Sequence, residues 1–203
     1  MNTSNMNEEC LCFEFDEINM NAEIISSPKA KGMITIPRSI FHDSQEFIIT
    51  KIKEGAFKKN YEIKSIDFSE DSELLAIEKD AFNGSSLEKI SLPPNLVDLE
   101  EGWSSDTARL TNISISPKNS RFEIYEEKAV LMKSDPNLDF FDVLLFVFRD
   151  VEQLEIPSYI RTIGPFCFEG CVNLKDVTFP ANSEIRSFEK MAFNNSSIEK
   201  ISI

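Results

Sequence analysis

Apolar and polar positions follow one recurring rule along this chain. The pattern apolar-x-x-apolar-x-apolar occurs as IKSIDF from Ile63, LEKISL from Leu87, LTNISI from Leu110, VEQLEI from Val151, LKDVTF from Leu174 and IEKISI from Ile198. These starts are almost evenly spaced, except for one longer interval between Leu110 and Val151. The closing apolar-x-apolar has period two, as in a strand with one buried face, so Ile66 and Phe68 point one way and Asp67 the other. Proline stops several of these strands, directly at Pro93, Pro157 and Pro180 and one residue later at Pro117.

A second motif lies between the strands. A small residue followed by Phe appears as Ala56-Phe57, Ala81-Phe82, Cys167-Phe168 and Ala192-Phe193, each pair beginning four residues after an apolar anchor: Ile52, Ile77, Ile163 and Phe188. The surrounding residues, FNGSS, FEGC and FNNSS, favour tight turns with at most one helical or 3₁₀ turn. Residues 77–92, IEKDAFNGSSLEKISL, return at 188–203 as FEKMAFNNSSIEKISI, with eleven of sixteen positions identical. Fixed-period self-similarity of this kind marks a repeat array.

Each unit therefore reads as a coil carrying one strand. A lone coil cannot enclose its apolar face, so the coils must stack, with parallel strands about 4.8 Å apart. The Phe residues then form a spine with the small residue beside them, and Cys167 substitutes for Ala. This predicts a β-rich solenoid with a parallel strand ladder of about six or seven coils, each of about 22–25 residues. Short or 3₁₀/helical turns are expected on its convex side. Residues 1–31 are expected to cap it, with Phe13, Phe15, Ile24 and Ile25 in short strands, and the solenoid to occupy residues 32–203. The long interval predicts a hairpin-like insertion at about 116–150.

LEKISLPPNL, LEIPSYIRTIGPFCFEGCVNLKDVTFP and AFNNSSIEKISI resemble the BspA-like leucine-rich repeat family. In the unbroken unit Leu154 to Phe179, Ile156, Pro157, Ile160, Ile163, Phe168, Cys171, Leu174 and Val177 fall on its signature positions. GMITIPRSI looks like a first irregular coil. In GWSSD, with Leu99 as anchor, Trp103 fills the spine position in a distorted way. The resemblance implies a leucine-rich repeat solenoid of the surface-antigen or adhesin type, which binds host or matrix proteins.

Charge narrows the partners. The 35 acidic and 21 basic residues give −14, which repels nucleic acid phosphates and anionic membranes. The strongest apolar run, VLLFVF at 143–148, is far short of the roughly 20 residues that span a bilayer. The N-terminal residues lack the basic and apolar regions of a secretory signal, which favours a cytoplasmic location, whereas the resemblance implies the cell surface. An intracellular scaffold is thus the alternative to an adhesin. The final ISI leaves a strand edge uncovered, so self-association through that edge, or a fragment of a larger repeat protein, is a further expectation.

Candidate chemistry is sparse. The sequence holds no G-x-G-x-x-G, P-loop or HExxH motif, and its single His42 is expected in a solvated loop beside Asp43. Cys10, Cys12, Cys167 and Cys171 lack the usual C-x2-C zinc spacing and read as small apolar residues. No enzyme activity, cofactor or metal is expected. The Asn-x-Ser/Thr sequons at Asn83, Asn194 and Asn195 read as turn formers; those at Asn2 and Asn112 do not. What remains is the outward strand face, where Asp67, Ser91, Ser114, Glu155, Thr178 and Ser202 form a predicted column for protein binding.

Overall fold

The computed structural model describes residues 10–202. It is a β-solenoid of about eight turns with no helix among these residues. Internal contacts group the chain into two compact units, one reaching to Thr107 and including Ile113–Asn119, the other made of Ala108–Asn112 and Ser120 onward.

The first unit opens with β1 (Cys12–Asp16) and β2 (Asn21–Ser26), an antiparallel hairpin in which Phe13 pairs with Ile24. Then come β3 (Gly32–Ile36), β4 (Ser39–His42), β5 (Gln45–Ile52), β6 (Ile63–Phe68), β7 (Ala76–Ile77), β8 (Lys89–Leu92), β9 (Asp98–Leu99) and β10 (Asn112–Ile115). One sheet runs β10-β8-β6-β3, and the other β1-β2-β5-β7-β9 with β4 folded onto β5. In the second unit, β11 (Phe122–Tyr125), β12 (Ala129–Met132), β13 (Val143–Val147), β15 (Thr162–Ile163) and β17 (Ser187–Phe188) form one sheet. The other contains β14 (Gln153–Glu155), β16 (Asp176–Thr178) and β18 (Lys200–Ser202).

Each coil thus carries two strands, where one was expected. The additional strand is only two residues long in β7, β9, β15 and β17, too short to show an alternation in sequence. Its register explains the anchors: Ile24 pairs with Ile52, Ile52 with Ile77 and Ile77 with Leu99 in the first unit. Leu144, Ile163 and Phe188 align likewise in the second. The hairpin of the insertion is β11 and β12, turning at Glu126 and Glu127, both with positive φ. β13 follows it, antiparallel to β12 and parallel to β15, so all five of its residues are buried. Burial on both faces gives VLLFVF its unbroken apolar character.

The Ala-Phe segment is neither a helix nor a free turn. It forms a third set of coil-to-coil hydrogen bonds: Phe57 N donates to Ala81 O at 2.7 Å and Lys59 N to Asn83 O at 2.8 Å, while Phe82 and Gly84 donate likewise to Trp103 and Ser105. Phe168 N to Ala192 O at 2.7 Å and Gly170 N to Asn194 O at 3.1 Å repeat the scheme in the second unit. To aim these groups along the stack, the backbone turns left-handed twice per coil, three and seven residues after the anchor. The first position holds Gly55, Asp80, Gly102, Phe166 and Met191; the second Lys59, Gly84, Asp106, Gly170 and Asn195. Non-glycine residues there carry a strain of about 1 kcal/mol or more each.

Aromatic packing follows from the same spacing. Phe57 and Phe82 stack with centroids 5.0 Å apart, and Trp103 meets Phe82 edge-on at 6.1 Å. Trp103 occupies the small-residue position, since its carbonyl takes the role of that of Ala81, and buried Ser104 follows where Phe would stand. In the second unit Phe168 and Phe193 stack at 4.8 Å. Asparagines clasp neighbouring coils: Asn60 Nδ2 donates to Ser27 O and Ala30 O, and Asn119 Nδ2 to Pro93 O and Leu96 O. They thus serve carbonyls of a neighbouring coil.

Two pairs of substitutions test this account. Phe82→Ala, at a fully buried site, is expected to cost about 3–5 kcal/mol in urea denaturation, and Phe193→Ala, only part-buried, clearly less. Met191→Gly should stabilise by up to about 1 kcal/mol by removing left-handed strain, whereas Gly170→Ala should destabilise by about that amount. A Cβ at Gly170 meets nothing within 4 Å, so this second pair isolates the backbone contribution.

Candidate functional site

Alternation on the longer strands turns one residue of each outward. Asp67 and Ser114 are exposed on β6 and β10, Ser91 is half-buried on β8, and Ile66 and Ile90 beneath are buried and paired. Asp67 pairs with Thr35 on β3, an exposed residue of the same column that the sequence reading missed although GMITIP carries the alternation. In the second unit, Glu155, Thr178 and Ser202 lie in register across β14, β16 and β18. The six predicted residues therefore occupy two columns, one in each unit.

Some flanking charges are consumed in ion pairs between coils. Lys64 Nζ lies 2.9 Å from Glu88 Oε1, and Lys175 Nζ lies 3.3 Å from Glu199 Oε1. Arg161 and Glu184 pair at 3.1 Å elsewhere on the second unit. Exposed pairs of this kind contribute about 0–1 kcal/mol each and chiefly hold register. Glu155, Asp176 and Lys200 make no ion pair with any described residue, so their charge is directed at solvent.

These residues line a groove of about 390 Å³ in the second unit, formed by Gln153, Glu155, Asp176, Thr178, Lys200 and Ser202 together with Glu126 and Lys128 from the hairpin turn. Glu126 and Lys128 pair at 3.1 Å. Tyr125 is half-buried, and Glu126, Tyr159 and Glu155 lie close enough to act on its phenol electrostatically. Burial, and then the charge of Glu126, push the Tyr125 hydroxyl up to about 12. Burial raises Tyr159 as well, with Glu123 adding to it. Nothing local in RFEIYEEK signals that the hairpin turn, through Glu126 and Lys128, meets the strand face.

Other candidates resolve differently. His42 ends strand β4, where a solvated loop was expected, and its ring stacks on Phe15 with centroids 4.2 Å apart. The hairpin turn Asp43-Ser44, left-handed at both residues, sets that position. Cys167 and Cys171 are buried, and burial raises both thiols. The Arg149 guanidinium covers the Phe146 ring at 4.1 Å and reaches Cys171 Sγ at 3.5 Å. Asn112 is exposed on β10, and Asn194 Nδ2 donates to Glu169 Oε1 at 2.8 Å; Asn2 lies outside the described residues. No grouping of His, Cys, Asp and Glu among the described residues is arranged to hold a metal ion, and no helix among them is long and apolar enough to cross a membrane.

The BspA-type leucine-rich repeat region model matches residues 44–127 and 144–203 in six copies. No curated protein matches the chain. Among solved structures, it is similar to a leucine-rich cell surface protein from Faecalibacterium prausnitzii A2-165, at 15% identity and a TM-score of 0.54, covering 96% of this chain and 75% of that one. It is also similar to a leucine-rich repeat protein from Eubacterium ventriosum ATCC 27560, at 13% identity and a TM-score of 0.56, covering 95% and 66%. At such identities the likeness concerns the fold.

The Tyr125 environment is open to a spectrophotometric titration. A phenol held protonated by the fold ionises late, so one of the three tyrosines should ionise about two pH units above free tyrosine, and Tyr125→Phe should remove that step. Since the folded form keeps its proton while the unfolded chain has lost it, stability contributed at Tyr125 falls away between about pH 10 and 12.

Proposed function

We propose that this chain, which belongs to the BspA-type leucine-rich repeat family, is a non-catalytic protein-binding module whose outward strand face is the recognition surface. The observation that carries this reading is the register of the outward residues. Thr35 and Asp67 in one unit, and Glu155, Thr178 and Ser202 in the other, stand on paired strands with apolar partners fixed beneath them. Side chains held at regular spacing on a rigid ladder lose little freedom on binding and can read an extended protein surface.

Its setting is proposed to be the cell surface, as a surface antigen or adhesin acting on host or matrix proteins. Support comes from the family and from the F. prausnitzii neighbour, itself a cell surface protein. An intracellular scaffold is the second reading, which the same strand face would serve. Residues 10–31 are proposed as a cap, because β1 and β2 cover the end of the anchor ladder begun by Ile24. Self-association is a further proposal, supported by the exposed apolar side chains of Phe188, Met191 and Ile201.

Alanine at Asp67, Glu155 and Thr178 together is expected to weaken binding to a partner at least tenfold without changing the urea midpoint. Unchanged binding would discard the strand face. Antibody to the folded protein is expected to label intact source cells without permeabilisation; labelling only after permeabilisation would leave the scaffold.

A further inference from the structure

We infer that Asn83-Gly84 is a self-modification site that the stack holds shut, and that opening of its coil converts the asparagine to isoaspartate, which cannot rejoin the ladder. This goes beyond the binding reading and concerns the backbone of the first unit.

Of all the asparagines in the chain, only Asn83 is followed by glycine. In an open chain that pair is reactive, because glycine has no side chain to hinder attack by its own nitrogen. Gly84 N attacks Asn83 Cγ, the bond from Cγ to Nδ2 breaks, and ammonia leaves with the proton given up by the glycine amide. Water then opens the resulting five-membered imide. At the side-chain carbonyl it gives aspartate on an unaltered backbone; at the main-chain carbonyl it gives isoaspartate, with the former side chain now carrying the main chain. Water is the sole co-reactant, and nothing is oxidised or reduced.

The folded chain blocks the first step. Gly84 N donates to Ser105 O of the next coil at 2.9 Å, so the nitrogen keeps its proton and is turned along the stack. Asn83 is fixed as well: its N donates to Asp80 O at 2.9 Å, and its O accepts from Lys59 N of the preceding coil at 2.8 Å. Water has access, since Asn83 and Gly84 are only half-buried. Reaction therefore waits for the coils to part. Isoaspartate lengthens the main chain by a methylene at this point, so Lys59 N and Gly84 N cannot both recover their partners, and the opening becomes permanent.

The second copy of the phrase isolates the reactive element. Asn194 stands where Asn83 does and accepts from Gly170 N at 3.1 Å, but Asn195 replaces Gly84 at a similar left-handed φ, 50° against 66°. The fold thus accepts a residue other than glycine there, and the reactive pair belongs to the first copy alone.

The test is peptide mass mapping of the full chain after incubation in mildly alkaline buffer, folded or unfolded in guanidinium chloride, with the isomeric aspartate and isoaspartate peptides separated. Asn83 is expected to convert at least about tenfold more slowly in the folded chain. In the unfolded chain Asn194 should lag behind Asn83, and Gly84→Asn should slow residue 83 to the rate of Asn194. Chains isolated with isoaspartate at 83 should unfold at a lower denaturant concentration than unmodified ones, and Asn83→Asp, which adds the same charge to an unaltered backbone, should lose clearly less. The inference is overturned by equal conversion of Asn83 in folded and unfolded chains, by conversion of unfolded Asn194 as fast as Asn83, or by isoaspartate chains as stable as Asn83→Asp.

Discussion

Backbone hydrogen bonds between successive coils are the interaction on which this protein depends. In an ordinary turn the peptide groups satisfy one another locally or face water. Here Phe57, Lys59, Phe82 and Gly84 donate to carbonyls one coil further on, and the two strand ladders of each coil do the same. A coil therefore has no complete set of partners without a neighbour. Buried peptide groups left unpaired cost about 1–3 kcal/mol each, so the repeat length must stay nearly constant for every donor to find its acceptor.

Side-chain choices follow from that constraint. The residue after each first left-handed position faces the interior where coils approach closely, so Ala or Cys fits and the next position carries the Phe that fills the core. Trp103 shows how far this can bend: a large ring enters at the small-residue position, and Ser104 then takes the Phe position. Arg149 is a different accommodation, a buried cation held by the Val147 and Cys167 carbonyls and the face of Phe146.

Much of the fold was legible because stacking imposes a period. Anchors such as Ile77 and Ile163 recur at fixed distances from Phe82 and Phe168, and the strand phrases alternate clearly. The two-residue strands were not legible, since Ala76-Ile77 or Thr162-Ile163 is too short for any periodicity, nor was the left-handed backbone at Phe166 and Met191, where the residue type gives no hint. The site divides in the same manner. Asp67, Glu155 and Thr178 could be placed on outward positions by counting, whereas the approach of Glu126 and Lys128 to Glu155 depends on where a hairpin lands, which is a long-range property.

The likeness of the two phrases at 77–92 and 188–203, identical at eleven of sixteen positions, has a genetic consequence. Ile77 and Ile90 are buried by the coil that follows, while Phe188 and Ile201, in the same places of the later copy, are about half exposed. Both copies nonetheless set their anchors in the same register on the preceding coil, Ile77 on Ile52 and Phe188 on Ile163. A recombination event joining the first copy to the second would excise everything between them, hairpin and groove included, and still bring each anchor onto an anchor. Such an architecture lets a lineage shorten or lengthen its protein in whole coils, changing what it presents to partners without having to solve the packing problem again.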